Sequence, residues 1–444
     1  MRIAVPYFPG SNGDYDAINR IEEHGMKPVP LYFHIGDKRR LEGNAAALKD
    51  ADGVVLPGGF PYEDRLGFGV VPSKIKEFSN AMKDVVKEGK PVIAFCSGNQ
   101  IANAMDLALL DTNHSASVLP NVADRQGDIV YKGFFDRKVH TRLRANPARN
   151  AFTRNLKENE VLETIIDHGG GRFWTSTETL QHLLDHDMIL TQYTEKDGKV
   201  VDEFPINPNG SMLNIESISN RRGNVKIGMA HNERKLNALK HGRHNDVFAS
   251  MREYIEDGCP DLSEEATYKE APIDLKDFSY LSPNIGENSI DIYVEMLTDD
   301  NERNTAQLFL EGMPLERRRL IRVGVEGEPS VEYAQQLVKD ISSLDVFDGI
   351  MLKKDLPYVC ANGKISSYEV VDTDNNRDFM ERGALVEGMP VPYEQVPMPN
   401  PDGYLLKKQF EENSIPGVRD VVTGTAWFFR NEDDKRYGVD NLLG

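Results

Sequence analysis

The stretch that most constrains this chain is Val92-Ile93-Ala94-Phe95-Cys96-Ser97-Gly98-Asn99-Gln100. Four apolar residues run into a cysteine, a Ser-Gly pair follows, and Gln100 to Met105 is rich in helix formers. The spacing puts Cys96 at the turn between a buried strand and a helix. Such an elbow lifts a nucleophile above the sheet edge, beside the free N–H groups of the helix's first turn. Those donors and the helix dipole favour thiolate over thiol, whose free pKa is roughly 8.5. The alternative is a small buried thiol that packs like alanine.

The residues around this stretch read as its scaffold. Strands are expected at Arg2 to Tyr7, Pro28 to Phe33 and Asp52 to Leu56, with helices at Tyr15 to His24 and Lys74 to Lys87. This alternation points to an α/β parallel sheet that binds ligands at the carboxyl ends of its strands. From Pro120 to Arg222 the pattern turns more β-like and loop-rich, with strands at Asp128 to Tyr131 and Met188 to Tyr193 and a turn cluster at Asn207 to Ser211. Val225 to Met229 is the unit's last strand, followed directly by Ala230-His231-Asn232-Glu233.

A length of 444 residues exceeds one ordinary core. We divide the chain into an α/β domain at 1–240, a helix (Asp246 to Glu256) and linker at 241–289, an α+β module at 290–357, and a region at 358–444 with a partial second copy of that module. In the tail, strands are expected at Ile290 to Met296, Leu320 to Val325, Phe347 to Leu352 and Val418 to Phe429, with helices at Glu302 to Leu310, Ser330 to Ile341 and Pro401 to Glu412. A net charge of -19 argues against nucleic-acid and anionic-membrane partners. Cys96, Cys259 and Cys360 are odd in number and far apart, which suits neither a disulfide framework nor a cysteine zinc site, so no metal is expected. With no apolar leader pattern at Met1 to Pro6 and no long apolar run, the expected location is the cytoplasm.

A thiolate nucleophile needs a proton-transfer partner and a place for an oxyanion. His231 and Glu233 stand two apart, so in an extended segment they project to one side, where the carboxylate can orient the imidazole toward Cys96. A surface turn is the plainer reading of His-x-Glu. Gly58-Gly59, at a strand end, leaves room for backbone N–H groups, and the Ser97 amide is a second donor; a simple tight turn is the alternative. Together these residues suit acyl transfer from an amide, in which Cys96 attacks, His231 protonates departing ammonia, and water hydrolyses the thioester. Serine and aspartate alternatives exist, but none sits in so clear an elbow.

These residues bring a family into view. Residues 1–235 resemble the class I (triad) glutamine amidotransferases, a flavodoxin-like α/β fold, and more narrowly the glutaminase subunits of phosphoribosylformylglycinamidine synthase in purine biosynthesis. The resemblance rests on Phe8-Pro9-Gly10-Ser11-Asn12 with Asp14 and Asp16, Leu56-Pro57-Gly58-Gly59-Phe60 with Tyr62 and Asp64, and Cys96-Ser97-Gly98-Asn99-Gln100. His168-Gly169 with Arg172-Phe173, Asn207-Pro208-Asn209-Gly210-Ser211, and His231 with Glu233 complete it. It implies that Cys96, His231 and Glu233 are catalytic, that Gly59 and Ser97 form the oxyanion hole, and that Gly58, Gln100, His168 and Asn207 bind glutamine. The sequence departs from the family at Ala94, Ser97, Gly13, Asn232 and Gly170, the last standing where the family has an acidic residue.

Residues 290–357 are similar to the small PurS-type subunit of the same synthase, through strand, helix, Ile321-Arg322-Val323-Gly324, helix and strand; Asn400-Pro401-Asp402-Gly403 with Val418 to Gly424 echoes it. That similarity implies a bridge to a separate PurL-type synthetase subunit and self-association through the PurS-like region. No Gly-rich P-loop occurs, so no cofactor is expected on this chain, with ATP and Mg on the synthetase. The competing functional readings are a glutaminase-like subunit of another amidotransferase and a catalytically weak assembly or regulatory protein.

Overall fold

The computed structural model describes residues 1–110, 112–125, 128–234, 247–263, 282–295, 300–343, 358–361, 364–373, 376–382, 389, 391–396 and 400–443. The chain divides into two compact units, Met1–Leu275 and Lys276–Gly444.

The first unit is built on a sheet of β1 (Arg2–Tyr7), β2 (Lys27–Tyr32), β3 (Gly53–Leu56), β4 (Val92–Phe95), β5 (Phe135–Leu143), β6 (Val161–His168), β7 (Ile189–Thr194), β8 (Ile215–Ser219) and β9 (Val225–Gly228). Their order is β2-β1-β3-β4-β9-β8-β7-β5-β6. From β2 to β9 every pairing is parallel, the doubly wound order of flavodoxin-like folds. Val54 to Leu56 and Val92 to Phe95 are wholly buried, as strands covered on both faces must be. From β9 onward the pairings become antiparallel, so the sheet is mixed rather than purely parallel. β5 alternates buried and half-buried positions in its second half, which suits an antiparallel strand with one face on the core. The strand at 128–132 pairs with 122–125 in a separate small sheet.

The helices Asp14–Glu23 and Lys76–Lys87 stand close to their expected places. A helix at Lys38–Lys49 was not anticipated: it buries only Leu41 and Leu48, and Asp37 caps it by accepting the Arg40 N–H at 3.1 Å. The helix Val247–Glu256, assigned above to the linker, belongs instead to the first core. Its Val247, Phe248, Met251 and Tyr254 are fully buried with Ile3, Val5, Ile93 and Phe95.

The second unit is one antiparallel sheet of β10 (Ser289–Val294), β11 (Glu316–Val325), β12 (Tyr358–Ala361), β13 (Lys364–Thr373), β14 (Asn376–Arg382), β15 (Val391–Gln395) and β16 (Val418–Phe429), ordered β14-β13-β12-β10-β11-β16-β15. Side chains from β10, β11 and β16 and from the helices Val331–Ser343 and Pro401–Glu412 share one core. The segments divided at residue 357 therefore contribute to a single sheet. The strand expected at Phe347 to Leu352 lies outside the described residues, as does much of the linker. Among the described residues no helix is long and apolar enough to cross a membrane.

Candidate active site

Cys96 sits between β4 and the helix Ser97–Ala104 with φ 50° and ψ −112°, in the positive-φ region that a non-glycine residue rarely occupies. Two hydrogen bonds hold this elbow: the Cys96 N–H donates to the Gly228 carbonyl at 3.1 Å, and the Gln100 N–H donates to the Cys96 carbonyl at 3.1 Å. Parallel β9 therefore fixes one side of the nucleophile while the helix fixes the other. The thiol is 6% exposed and reaches the Asp167 carbonyl oxygen at 3.5 Å.

His231 follows β9, and its N–H donates to the Ile165 carbonyl of β6 at 2.9 Å. Its Nδ1 lies 2.6 Å from Glu233 Oε1, with both side chains buried. Nε2 is buried and makes no hydrogen bond. Burial opposes charge on this imidazole, but Glu233 and then Cys96 outweigh it and raise its pKa above the ordinary value. Gly58 shows how close thiol and imidazole stand: a Cβ on it would lie 2.8 Å from His231 Cε1 and 3.3 Å from Cys96 Cβ. Gly59 has φ +137°, and a Cβ there would meet the Asn12 N at 2.6 Å. The turn at 58–59 is held by the loop before the first helix, the Gly13 N–H donating to the Gly58 carbonyl at 3.0 Å.

Gln100 donates through Nε2 to the Gly170 carbonyl at 2.6 Å, leaving Oε1 buried without a hydrogen bond. Gly170 itself has no room for a side chain, since a Cβ there would lie 2.3 Å from Phe68 Cε2. The missing acidic residue is thus matched by an aromatic ring in its space. His168 is wholly enclosed, and burial followed by the nearby His231 pushes its pKa down to about 3, which keeps it neutral. Asn121 Oδ1 accepts the Gly171 N–H at 2.9 Å and lies 3.2 Å from His168 Nδ1. That network assigns the proton to Nδ1 and leaves Nε2 an acceptor with no partner.

Asn207 stands apart from this group. Its Nδ2 donates to Asp202 at 2.6 Å and to the Ser211 carbonyl at 2.9 Å, and its Oδ1 accepts the Ser211 N–H, so its amide is spent on its own turn. That turn supports the site through Asn209, which donates to the Gly171 carbonyl at 2.7 Å. Among the described residues no group of three or more His, Cys, Asp or Glu is placed to hold a metal.

A strained cysteine beside a carboxylate-held histidine is the geometry of thiol-based amide chemistry. Residues 1–255 match the CobB/CobQ-like glutamine amidotransferase domain family. The chain belongs to that family. It is 32% identical over 268 residues to the phosphoribosylformylglycinamidine synthase subunit PurQ of Methanothrix thermoacetophila, covering 58% of this chain and 99% of that protein. It is 36% identical over 258 residues to the subunit of the same name from Chlorobium luteolum, covering 56% of this chain and 97% of the relative. A solved structure of PurLQS from Thermotoga maritima aligns at 27% identity with a TM-score of 0.43, over 57% of this chain and 98% of that one.

Several residues of this glutamine amidotransferase were given no role in the sequence reading, although Asp16 and Asp64 stood among its motifs. Asp16 faces the site from the first helix, and burial followed by Glu233 raises its pKa. Arg234 pairs with Asp167 at 3.0 Å beside Glu233. Asp64 has a buried, unpartnered Oδ1, and burial lifts its pKa to about 6. Glu216 and Lys226 are 5% and 2% exposed within the sheet. The signal for that last pair was present: each charge interrupts a short apolar strand, Ile215-Glu216-Ser217-Ile218 and Val225-Lys226-Ile227.

Proposed function

We propose that this chain is the glutaminase component of a phosphoribosylformylglycinamidine synthase, acting in the cytoplasm. Cys96 Sγ, held as thiolate with its proton on His231, attacks the carboxamide carbon of glutamine. The oxyanion of the tetrahedral intermediate rests on the backbone N–H groups of Gly59 and Ser97. Imidazolium at His231, stabilised by Glu233, protonates the leaving nitrogen; the C–N bond breaks, ammonia departs, and a thioester remains on Cys96. Water then attacks the thioester, giving up a proton to His231, and glutamate and the free thiol are released. Gln100 Oε1, an acceptor without a partner, suits the α-ammonium of glutamine, and His168 Nε2 is a second unused acceptor.

The observation that carries this reading is the Cys96–Gly58–His231 juxtaposition with Glu233 at 2.6 Å from Nδ1. The relatives' names supply the pathway. Ammonia goes to a separate PurL-type synthetase, which holds ATP and Mg, and the second unit acts as a PurS-like bridge that keeps the two at high effective concentration. The test is labelling with a chloroketone analogue of glutamine in the presence of the synthetase, read by peptide mass spectrometry. Label on Cys96, with Cys96→Ala losing glutamine-dependent but keeping ammonia-dependent synthase activity, is the expected result. An unlabelled Cys96 overturns the reading.

A further inference from the structure

The segment that follows the Gly58-Gly59 turn has no part in the chemistry above, yet it reaches the site twice. It ends in Gly67-Phe68-Gly69, just before the short helix Val70–Ser73. Both glycines take positive φ, +116° and +74°, so the turn that presents Phe68 depends on neighbours without a Cβ. Gly69 lies against the elbow helix, where a Cβ on it would stand 2.5 Å from the Gln100 carbonyl carbon and from the Ile101 nitrogen. One residue earlier, the Phe68 ring covers Gly170, whose added Cβ would stand 2.3 Å from Cε2 and 2.5 Å from Cδ2. The Gly170 carbonyl accepts from Gln100 Nε2 at 2.6 Å. Gln100 is thus bracketed, its main chain by Gly69 and its amide by the peptide that Phe68 covers.

That peptide sits at an irregular point of the backbone. The strand Gly170–Thr175 pairs with Ala116–Pro120, and its register shifts between Gly170 and Arg172. A bulge of this kind re-aims local groups and needs support. Asn121 grips the peptides on either side: its N–H donates to the Gly169 carbonyl at 2.9 Å, and its Oδ1 accepts the Gly171 N–H at 2.9 Å. Phe68 packs on Gly170 itself. The orientation matters because a carboxamide offers donors at one end and an acceptor at the other. With the Gly170 carbonyl fixed beside it, Nε2 is the end already bound, and buried Oε1 is the end left as an acceptor.

We propose that Phe68 is a positioning residue for substrate recognition, its ring pinning the Gly170 peptide so that the Gln100 amide keeps Oε1 as the acceptor for the α-ammonium of glutamine. This inference rests on the glutaminase reading of the site.

The experiment uses the full chain in complex with the synthetase. It measures kcat and KM for glutamine and the inhibition constant of glutaramate, which is glutamine without its α-ammonium. Phe68→Ala raises KM about tenfold, the worth of one hydrogen bond to a charged group, and leaves kcat within about twofold. The glutaramate constant stays within about twofold of wild type, because glutaramate lacks the group that Gln100 Oε1 accepts. Phe68→Leu, which still covers Gly170, recovers most of the KM. In thermal melts the losses of Phe68→Ala and Gly170→Ala are not additive in the double variant, since the methyl added at Gly170 meets the ring. Equal rises for glutamine and glutaramate, a fall in kcat with KM unchanged, or additive melting losses overturn the proposal. If Phe68→Ala does not fold, Gly170→Ala displaces the same carbonyl and carries the comparison, and an unchanged ratio of the two constants overturns it. A wild-type complex that releases no ammonia from glutamine overturns the glutaminase reading and this inference with it. An active wild type with an unchanged KM in Phe68→Ala overturns this inference alone.

Discussion

At Gly58 the space between thiol and imidazole admits a hydrogen and nothing larger. A methyl there lies 2.8 Å from His231 Cε1, and neither the ring, held by Glu233, nor the elbow can give way freely. Gly58→Ala is therefore expected to cut glutamine hydrolysis at least about tenfold while the cooperative melt persists, since the clash falls on the reacting groups. Ammonia release and a thermal melt on one preparation check it. His168 gives a second expectation, in pH. Its folded pKa of about 3 lies below the ordinary 6.5, so between those values the unfolded chain binds the extra proton and stability falls as pH is lowered. From pH 7 to pH 5 this group alone removes about 2 kcal/mol. Urea denaturation at the two pH values should show that difference shrink by about this amount in His168→Gln; an unchanged difference refutes it. The elbow at Cys96 and the pairing of His231 with Glu233 were legible in sequence because a strand-to-helix turn and a His-x-Glu spacing are local features. Asn207, expected at the glutamine site, closes its own turn instead of facing Cys96 and His231, and in sequence such a side chain looks like one that awaits a ligand.

Elements were legible where one apolar stripe or one apolar run dominated. β3 and β4 are continuous apolar runs and were placed within a residue of their observed ends, as a strand buried on both faces must be. Lys38–Lys49 has two buried leucines and a glycine between them, too thin a stripe to declare a helix; packing and the Asp37 cap define it instead. The hairpin of β5 and β6 was missed for a different reason, since charges such as Asp136, Arg137 and Lys138 on the exposed part of β5 mask the alternation. The helix Val247–Glu256 was seen but given to the wrong body, because amphipathicity reveals a buried face without naming its partner. Phe248 settles its attachment: it is fully buried, with its ring 6.3 Å from Phe95 and stacked 5.8 Å from His24. Phe248→Ala is expected to destabilise the first unit by about 3–5 kcal/mol, the usual result of emptying an aromatic core site. Chemical denaturation followed by a probe in the first unit measures this, and a loss under about 1 kcal/mol would detach the helix from that core.

For the molecule as a whole, the decisive fact is that each unit closes its own core. In the first, residues from β1, β4 and the helix Val247–Glu256 meet; in the second, β10, β11 and β16 meet two helices. The site residues from Cys96 to Glu233 all lie in the first unit, so nothing in the proposed chemistry draws a side chain from the second. Sequence similarity behaves the same way, since relatives covered almost end to end match 58% and 56% of this chain and the family match spans residues 1–255. If the second unit serves as a bridge, its removal separates two properties that a single-core protein would lose together. A chain ending at Leu275 is expected to melt cooperatively and to keep the pH profile of Cys96 alkylation, while its co-purification with the synthetase falls at least about tenfold, because cutting the covalent link abolishes the effective concentration that the link maintains. Thermal melting, peptide-level alkylation and a quantitative pull-down on the same protein read all three. Undiminished co-purification would remove the bridging role, whereas loss of the melt would show that the two cores depend on each other for stability.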